Sequence, residues 1–266
     1  MRKGKAILSS SLSDLVSKFS QENIIAEIEK RYQSAPAKLL PTSSIDDCAY
    51  VSRVKIPKET QEYFASRLRE KGFYNPLVVR TKEDGRYEII LGRKRFFGAR
   101  QAGLLSLPCA FAEVGDEETL LMLLADTRDQ REANVVEMAL VCQALQDQFD
   151  YRQQTLAELS HQSRCQISNI LRILKLPIPL QEDICLGKLS YGHARALASL
   201  GHDDALSLAK RIEKENLSVR EVEAIAQSLR GESRKKPYTL TRSGKDLTLH
   251  FDNEEELERF LQGKSL

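Results

Sequence analysis

The chain has 266 residues, with 40 Lys and Arg against 38 Asp and Glu, and 41% of its residues are hydrophobic. That length favours two or three folded units over one, and the near balance of charge excludes a globally basic nucleic-acid binder, so any basic footprint must be local. Five cysteines at positions 48, 109, 142, 165 and 185 form no C-x-x-C pair. This argues against a zinc site and fits a reducing cytoplasm.

The start, "MRKGKAILSSSLSDLVSKF", is basic but lacks a sustained apolar core, since Asp14 and Lys18 interrupt it. It is a poor secretion signal, and no run approaches the roughly 18 apolar residues of a membrane helix. The expected location is cytoplasmic, with no membrane partner. "SDLVSKFSQENIIAEIEKRY" reads as a helix, and "QSAPAKLLPTSSIDD" (Gln33 to Asp47), with two prolines and three serines, reads as a linker. Residues 1–49 are therefore expected to be a flexible basic tail and linker.

From Tyr50 the pattern changes. "PKETQEYFASRLREKG" predicts an amphipathic helix stopped at Gly72. "NPLVVRT" and "YEIIL" predict two strands of a hairpin around "KEDGR", with Gly85 at positive φ. "RKRFFGARQAG" predicts a helix, "SLPCAFAEV" a third strand, and "DEETLLMLLADTRD" a helix with acids in its first turn. Residues 50–131 thus read as a small α+β unit. In it, Arg93, Lys94 and Arg95 directly follow Gly92, where strand turns to helix. A helix start offers free N–H groups and glycine permits close backbone approach, so the cluster is a candidate phosphate site.

Residues 132–230 read as all helical, with Asn134 capping "VVEMALVCQALQDQF". "QQTLAELSHQSRCQISNILRILKLP" (Gln153 to Pro177) predicts a helix-turn-helix. Ser163 would cap the second helix, with Ile167, Ile170, Leu171 and Leu174 as its buried face. Arg164, Gln166, Ser168, Asn169 and Arg172 would face outward. Donors gathered near that helix start suit a major-groove reader. Lys175 follows on the same segment, and His193 and Arg195 begin a later helix within phosphate reach; His193 also suits capping or packing. "RGESRKKP" reads as a polar hinge. "YTLTRSGKDLTLHF" then alternates as a hairpin around Ser243-Gly244, and "DNEEELERFL" predicts a short helix. Residues 236–266 are too few to fold alone, so self-association is expected.

"ISNILRILKLP" and "LQEDICLGKLSYGHARALASL" resemble the central DNA-binding domain of the ParB partition proteins. "NPLVVR", the basic cluster and "ARQAGL" resemble that family's N-terminal domain, and "LTLHFDNEEELERFL" its C-terminal dimerisation segment. The resemblance implies an α+β N-terminal domain, an all-α helix-turn-helix domain and a small hairpin-and-helix dimerisation segment. It implies a homodimer on a palindromic centromere-like duplex, CTP with Mg2+ at the strand-to-helix junction, and a ParA-type ATPase met by the basic tail (Arg2, Lys3, Lys5). The family's phosphate motif reads glycine, glutamate, two arginines, any residue, arginine, alanine. Here it is Gly92, Arg93, Lys94, Arg95, Phe96, Phe97, Gly98. A second motif, glutamate, asparagine, any residue, glutamine, arginine, falls incompletely on Asp126 and Thr127 in one register, or on Gln130 and Arg131 in another. "DDCAYVSRVKIP" replaces the family's stretch upstream of the first helix. These departures leave CTP turnover open, and no metal ligand is assigned.

The expected function is a sequence-specific partition protein, associated with the nucleoid, that closes as a nucleotide-dependent sliding clamp. The alternative is a local regulator of the same build that binds DNA without ParA or CTP turnover. A sulfiredoxin-type enzyme would carry a cysteine after Gly92, where Arg93 stands, and no His or carboxylate spacing suits a nuclease.

Overall fold

The computed structural model describes residues 36–129, 134–234, 238–243, 246–251 and 258. They fall into two compact units, one ending at Ala198 and one beginning at Ser199. The first opens where the sequence reads as a linker. Lys38–Pro41 is a strand (β1), Thr42–Ser44 a single 3-10 turn, and Ile45–Asp46 a second short strand (β2). The linker reading therefore fails over this stretch. Leu40 and Ile45 are buried, and both strands are sheet edges, where a proline is tolerated because one side of the backbone needs no ladder partner.

The next elements follow the sequence closely. Helix α1 (Lys58–Lys71) stops at Gly72, whose φ of 68° only glycine adopts cheaply. Strands β3 (Leu77–Thr81) and β4 (Tyr87–Leu91) form an antiparallel hairpin closed through Gly85. Helix α2 (Arg93–Gln101), strand β5 (Ser106–Phe111) and helix α3 (Asp116–Asp129) follow. The five strands make one mixed sheet in the order β1-β5-β3-β4-β2, with β3 parallel to β5 and β2 parallel to β4.

Both sheet faces are covered, and the two-residue strand period sorts the side chains. Leu77, Val79 and Ile89 face a core with Leu68 of α1 and Phe96 and Ala99 of α2. Val78 and Ile90 face the other way, into a second core. That core continues through Leu120 and Leu124 of α3 into the helical region: α4 (Val135–Phe149), α5 (Gln153–Leu159) and α6 (Arg164–Ile173). Where the sequence puts a boundary between residues 131 and 132, the described residues on both sides thus share one apolar cluster. Helices α7 (Ile178–Cys185) and α8 (Tyr191–Leu197) complete the unit.

The second unit holds α9 (His202–Glu215), α10 (Val219–Arg234) and the hairpin of β6 (Tyr238–Ser243) and β7 (Asp246–Phe251). Helix α10 continues to Arg234, through most of the expected hinge. The hairpin register pairs Tyr238 with Phe251 and Leu240 with Leu249. The terminal "DNEEELERFL" helix lies outside the described residues apart from Glu258. Among the described residues no helix is long and apolar enough to cross a membrane.

Candidate nucleotide pocket and DNA-facing helix

Strand β4 ends on Gly92, which takes a left-handed φ of 95° and caps α2. The positive φ favours glycine, and a Cβ there would stand 2.8 Å from Leu77 Cδ2. The turn sets the start of α2, whose first N–H groups no helical carbonyl accepts, in the wall of a cavity of about 1190 Å3. Gly92 to Arg95, Asp126 of α3, Glu137 of α4, and Leu186, Gly187 and Leu189 after α7 are among its lining residues. The volume exceeds that of most small-ligand pockets and suits a nucleoside triphosphate.

The three cations after Gly92 do different jobs. Arg95 is half-buried, donates through Nη1 to the Asn75 carbonyl, and has its pKa pulled down by burial. Lys94 lines the cavity. Arg93, expected at the phosphates, is turned into the protein and only 6% exposed. Its Nε donates to Asp47 Oδ1 (2.6 Å), its Nη2 to Asp47 Oδ2 (2.7 Å) and to the Val54 carbonyl (3.1 Å), and its Nη1 to Glu137 Oε1 (3.4 Å). The guanidinium also lies 5.6 Å from the Phe97 ring centroid. Burial lowers its pKa, but the bond to Asp47 and the charges of Asp47 and Glu137 together more than reverse this. Burial holds the Glu137 carboxyl above its ordinary range, and Arg93 offsets that only in part.

Three departures from the family pattern therefore meet at one place. Arg93 stands for an acid, Phe97 for an arginine, and the unfamiliar "DDCAYVSRVKIP" brings Asp47 to neutralise the first. Sequence reasoning singled out Arg93 but missed Asp47, which lies 46 residues away. The one available signal was a new acid in the segment that had lost its usual letters.

Of the second motif, Asp126 reaches the cavity lining. Thr127 does not. It is buried, and its hydroxyl donates back to the Leu124 carbonyl at 2.8 Å. Gln130 and Arg131 lie outside the described residues, as do Arg2, Lys3 and Lys5. Among the described residues no group of three or more His, Cys, Asp or Glu could hold a metal ion. The cavity lining offers a triphosphate the start of α2, Lys94 and Arg95, and carries the carboxylates of Asp126 and Glu137.

Helix α6 starts in a full capping box. Ser163 Oγ accepts from the Gln166 N–H (3.2 Å), and Gln166 Oε1 accepts from the Ser163 N–H (2.7 Å). Gln166 therefore commits its carbonyl oxygen to the cap and keeps its amide nitrogen for other contacts. Arg164, Gln166 and Lys175 are exposed, while Ser168, Asn169 and Arg172 are half-buried. Arg172 donates to Asn169 at 3.3 Å. The buried face is Ile167, Ile170 and Ile173, whereas Leu171 and Leu174, expected inside, are half-buried. The reason is the helix end. Leu174, Lys175 and Leu176 donate to carbonyls three residues back, which tightens the winding and carries Leu176 inward. Buried Gln181, unremarked in the sequence, donates to the Leu174 (3.1 Å) and Leu176 (2.7 Å) carbonyls and so pins this end to α7.

Arg195 is exposed on α8, whose cap is Ser190. His193 is half-buried. Both its ring nitrogens are covered by protein without a hydrogen-bond partner among the described residues.

Two protein families match the chain: the ParB N-terminal domain over residues 26–128 and the ParB HTH domain over 131–231. A probable chromosome-partitioning protein ParB of Pseudomonas putida is 32% identical over 207 residues, covering 78% of this chain and 70% of the relative. That of Neisseria meningitidis serogroup A is 36% identical over 188 residues, 71% of this chain; the chain spans 66% of that relative's length. Among solved structures, C-terminally truncated Caulobacter crescentus ParB complexed to the centromeric parS site is 31% identical. It covers 72% of this chain and 99% of the solved one, with a TM-score of 0.43. The same protein complexed with CTP-gamma-S is 31% identical over 66% and 98% of the two chains, with a TM-score of 0.34.

Proposed function

The chain belongs to the ParB family of chromosome-partitioning proteins, and from that premise we propose that it binds a palindromic, centromere-like duplex as a homodimer. Helix α6 of each copy enters the major groove of one half-site. The observation that carries this reading is α6 itself: a fully capped helix whose isoleucine face is buried and whose Arg164 and Lys175 stand in solvent. Arg164 and the free amide of Gln166 would address base edges, Lys175 and Arg195 phosphates. Pairing of two copies through the C-terminal segment is supported by its alternating register, which sets Leu240 against Leu249 and Tyr238 against Phe251.

The cavity would receive the triphosphate of CTP, with Gly92 allowing the approach, the first turn of α2 donating, and Lys94 and Arg95 neutralising. The bound nucleotide would close two copies around DNA as a clamp. A ParA-type ATPase would meet the basic start and move the complex, leaving the protein associated with the nucleoid.

Fluorescence anisotropy against centromere-like and shuffled duplexes tests the core reading. A salt-sensitive preference for the palindrome is expected. It should weaken sharply when the chain is cut before Lys236, because single half-sites lose effective concentration. No sequence preference at any salt would defeat the reading.

A further inference from the structure

We infer that Tyr191, the first residue of α8, contacts the nucleoside of the bound nucleotide, so that the α+β region and the helical region hold one ligand together. The inference rests on the nucleotide reading above and concerns the part of the ligand that the basic cluster does not touch.

The phosphates have their partners on one short stretch, Gly92 to Arg95. A nucleoside is flat and largely apolar, and it needs a wall of apolar or aromatic side chains. Part of that wall comes from α7, α8 and the loop between them: Ile184, Leu186, Leu189 and Tyr191. The lining carries two aromatic rings, Phe64 and Tyr191. Phe64 is already engaged, packing against the Tyr63 ring at 5.4 Å and against Gly98 of α2. Tyr191 is 38% exposed, so part of its surface is open to a ligand.

Local structure fixes Tyr191 in this wall. Helix α7 stops in a turn where Gly187 takes a φ of 76° and the Lys188 N–H donates to the Asp183 carbonyl at 2.9 Å. Helix α8 opens on Ser190, whose Oγ accepts from the His193 N–H at 3.2 Å. The short loop is thus set at both ends. Lys55, before α1, meets Glu182 of α7 at 2.7 Å and orients that helix toward the α+β region. Arg195 lies one turn along α8 from Tyr191, on the same face. Burial raises the Tyr191 phenol, and the charge of Arg195 pulls the other way. Helix α8 would therefore carry a nucleoside contact beside a DNA-phosphate contact.

The test is isothermal titration of the full chain with CTP and with inorganic tripolyphosphate, which lacks the nucleoside. Tyr191→Ala should weaken CTP about tenfold and leave tripolyphosphate unchanged. An unchanged CTP affinity, or an equal loss for both ligands, would overturn the inference while leaving the nucleotide reading intact. A parent chain that binds no CTP would remove the nucleotide reading, and the inference with it. A second variant does not depend on truncating the ring. The chain has no tryptophan, so Tyr191→Trp introduces a single indole. Saturating CTP should change its fluorescence, because the base meets the ring; an emission spectrum that CTP leaves unaltered would count against the contact.

Discussion

A Cβ placed on Gly98 of α2 would stand 2.5 Å from the Cβ of Phe64 on α1, and 3.1 Å from the Ala65 nitrogen. The two helices are packed through a glycine contact, and neither neighbouring atom is the flexible end of a side chain. Gly98→Ala, which would restore the family's usual letter, is expected to destabilise the protein by about 1–3 kcal/mol despite the better helix propensity of alanine. Urea denaturation would show this as a lower midpoint with an unchanged slope.

The pairing of Arg93 with Asp47 makes a sharper prediction. Asp47→Ala leaves a buried guanidinium with Glu137 as its one charged partner among the described residues and should cost about 3–5 kcal/mol. Asp47→Ala combined with Arg93→Met should recover much of that loss, because the uncompensated charge is gone. A double-mutant cycle that came out additive would deny the coupling.

Asp46 supplies the pH dependence. Its carboxylate accepts from Arg86 and Lys82, which hold its pKa well below the ordinary carboxyl range. A depressed acid stabilises the fold above the unfolded pKa of about 4, and that contribution is lost as pH falls through the folded value. The parent should therefore be more stable than Asp46→Asn at neutral pH, with the gap in Tm closing below about pH 4.

On DNA, Arg164→Ala should relax discrimination at one base position by about 1–3 kcal/mol. Lys175→Ala should weaken all duplexes alike and lower the salt slope by about one. Ser163→Ala should leave base preference unchanged and cost about 1 kcal/mol of stability through the cap.

Thiol labelling tests the surface assignment of α6. Burial pushes Cys48 and Cys142 up to about 12 and Cys109 up to about 11, while Cys165 is exposed beside Arg164. A maleimide should react first at Cys165, and the adduct should block duplex binding. Protection of Cys165 by the palindromic duplex would show the same contact without modification.

What the sequence disclosed was what local chemistry decides. The β3–β4 hairpin announced itself through Gly85, α1 through Gly72, and α6 through Ser163, because each signal lies within a few residues of its effect. What it concealed was non-local. Strands β1 and β2 are four and two residues long, carry proline and serine nearby, and exist only because β5 and β4 pair with them from far along the chain. The inward turn of Arg93 was hidden for the same reason, its partner being distant. Ile173 and Leu176 were missed because the end of α6 winds more tightly than the spacing assumes.

Ile90, two residues before the Gly92 turn, and Ile167, on α6, belong to one apolar cluster. Heating should therefore melt the two in a single calorimetric transition. A lesion beneath the pocket would then be inherited by DNA reading as a smaller folded fraction, even where every base-contacting side chain is intact.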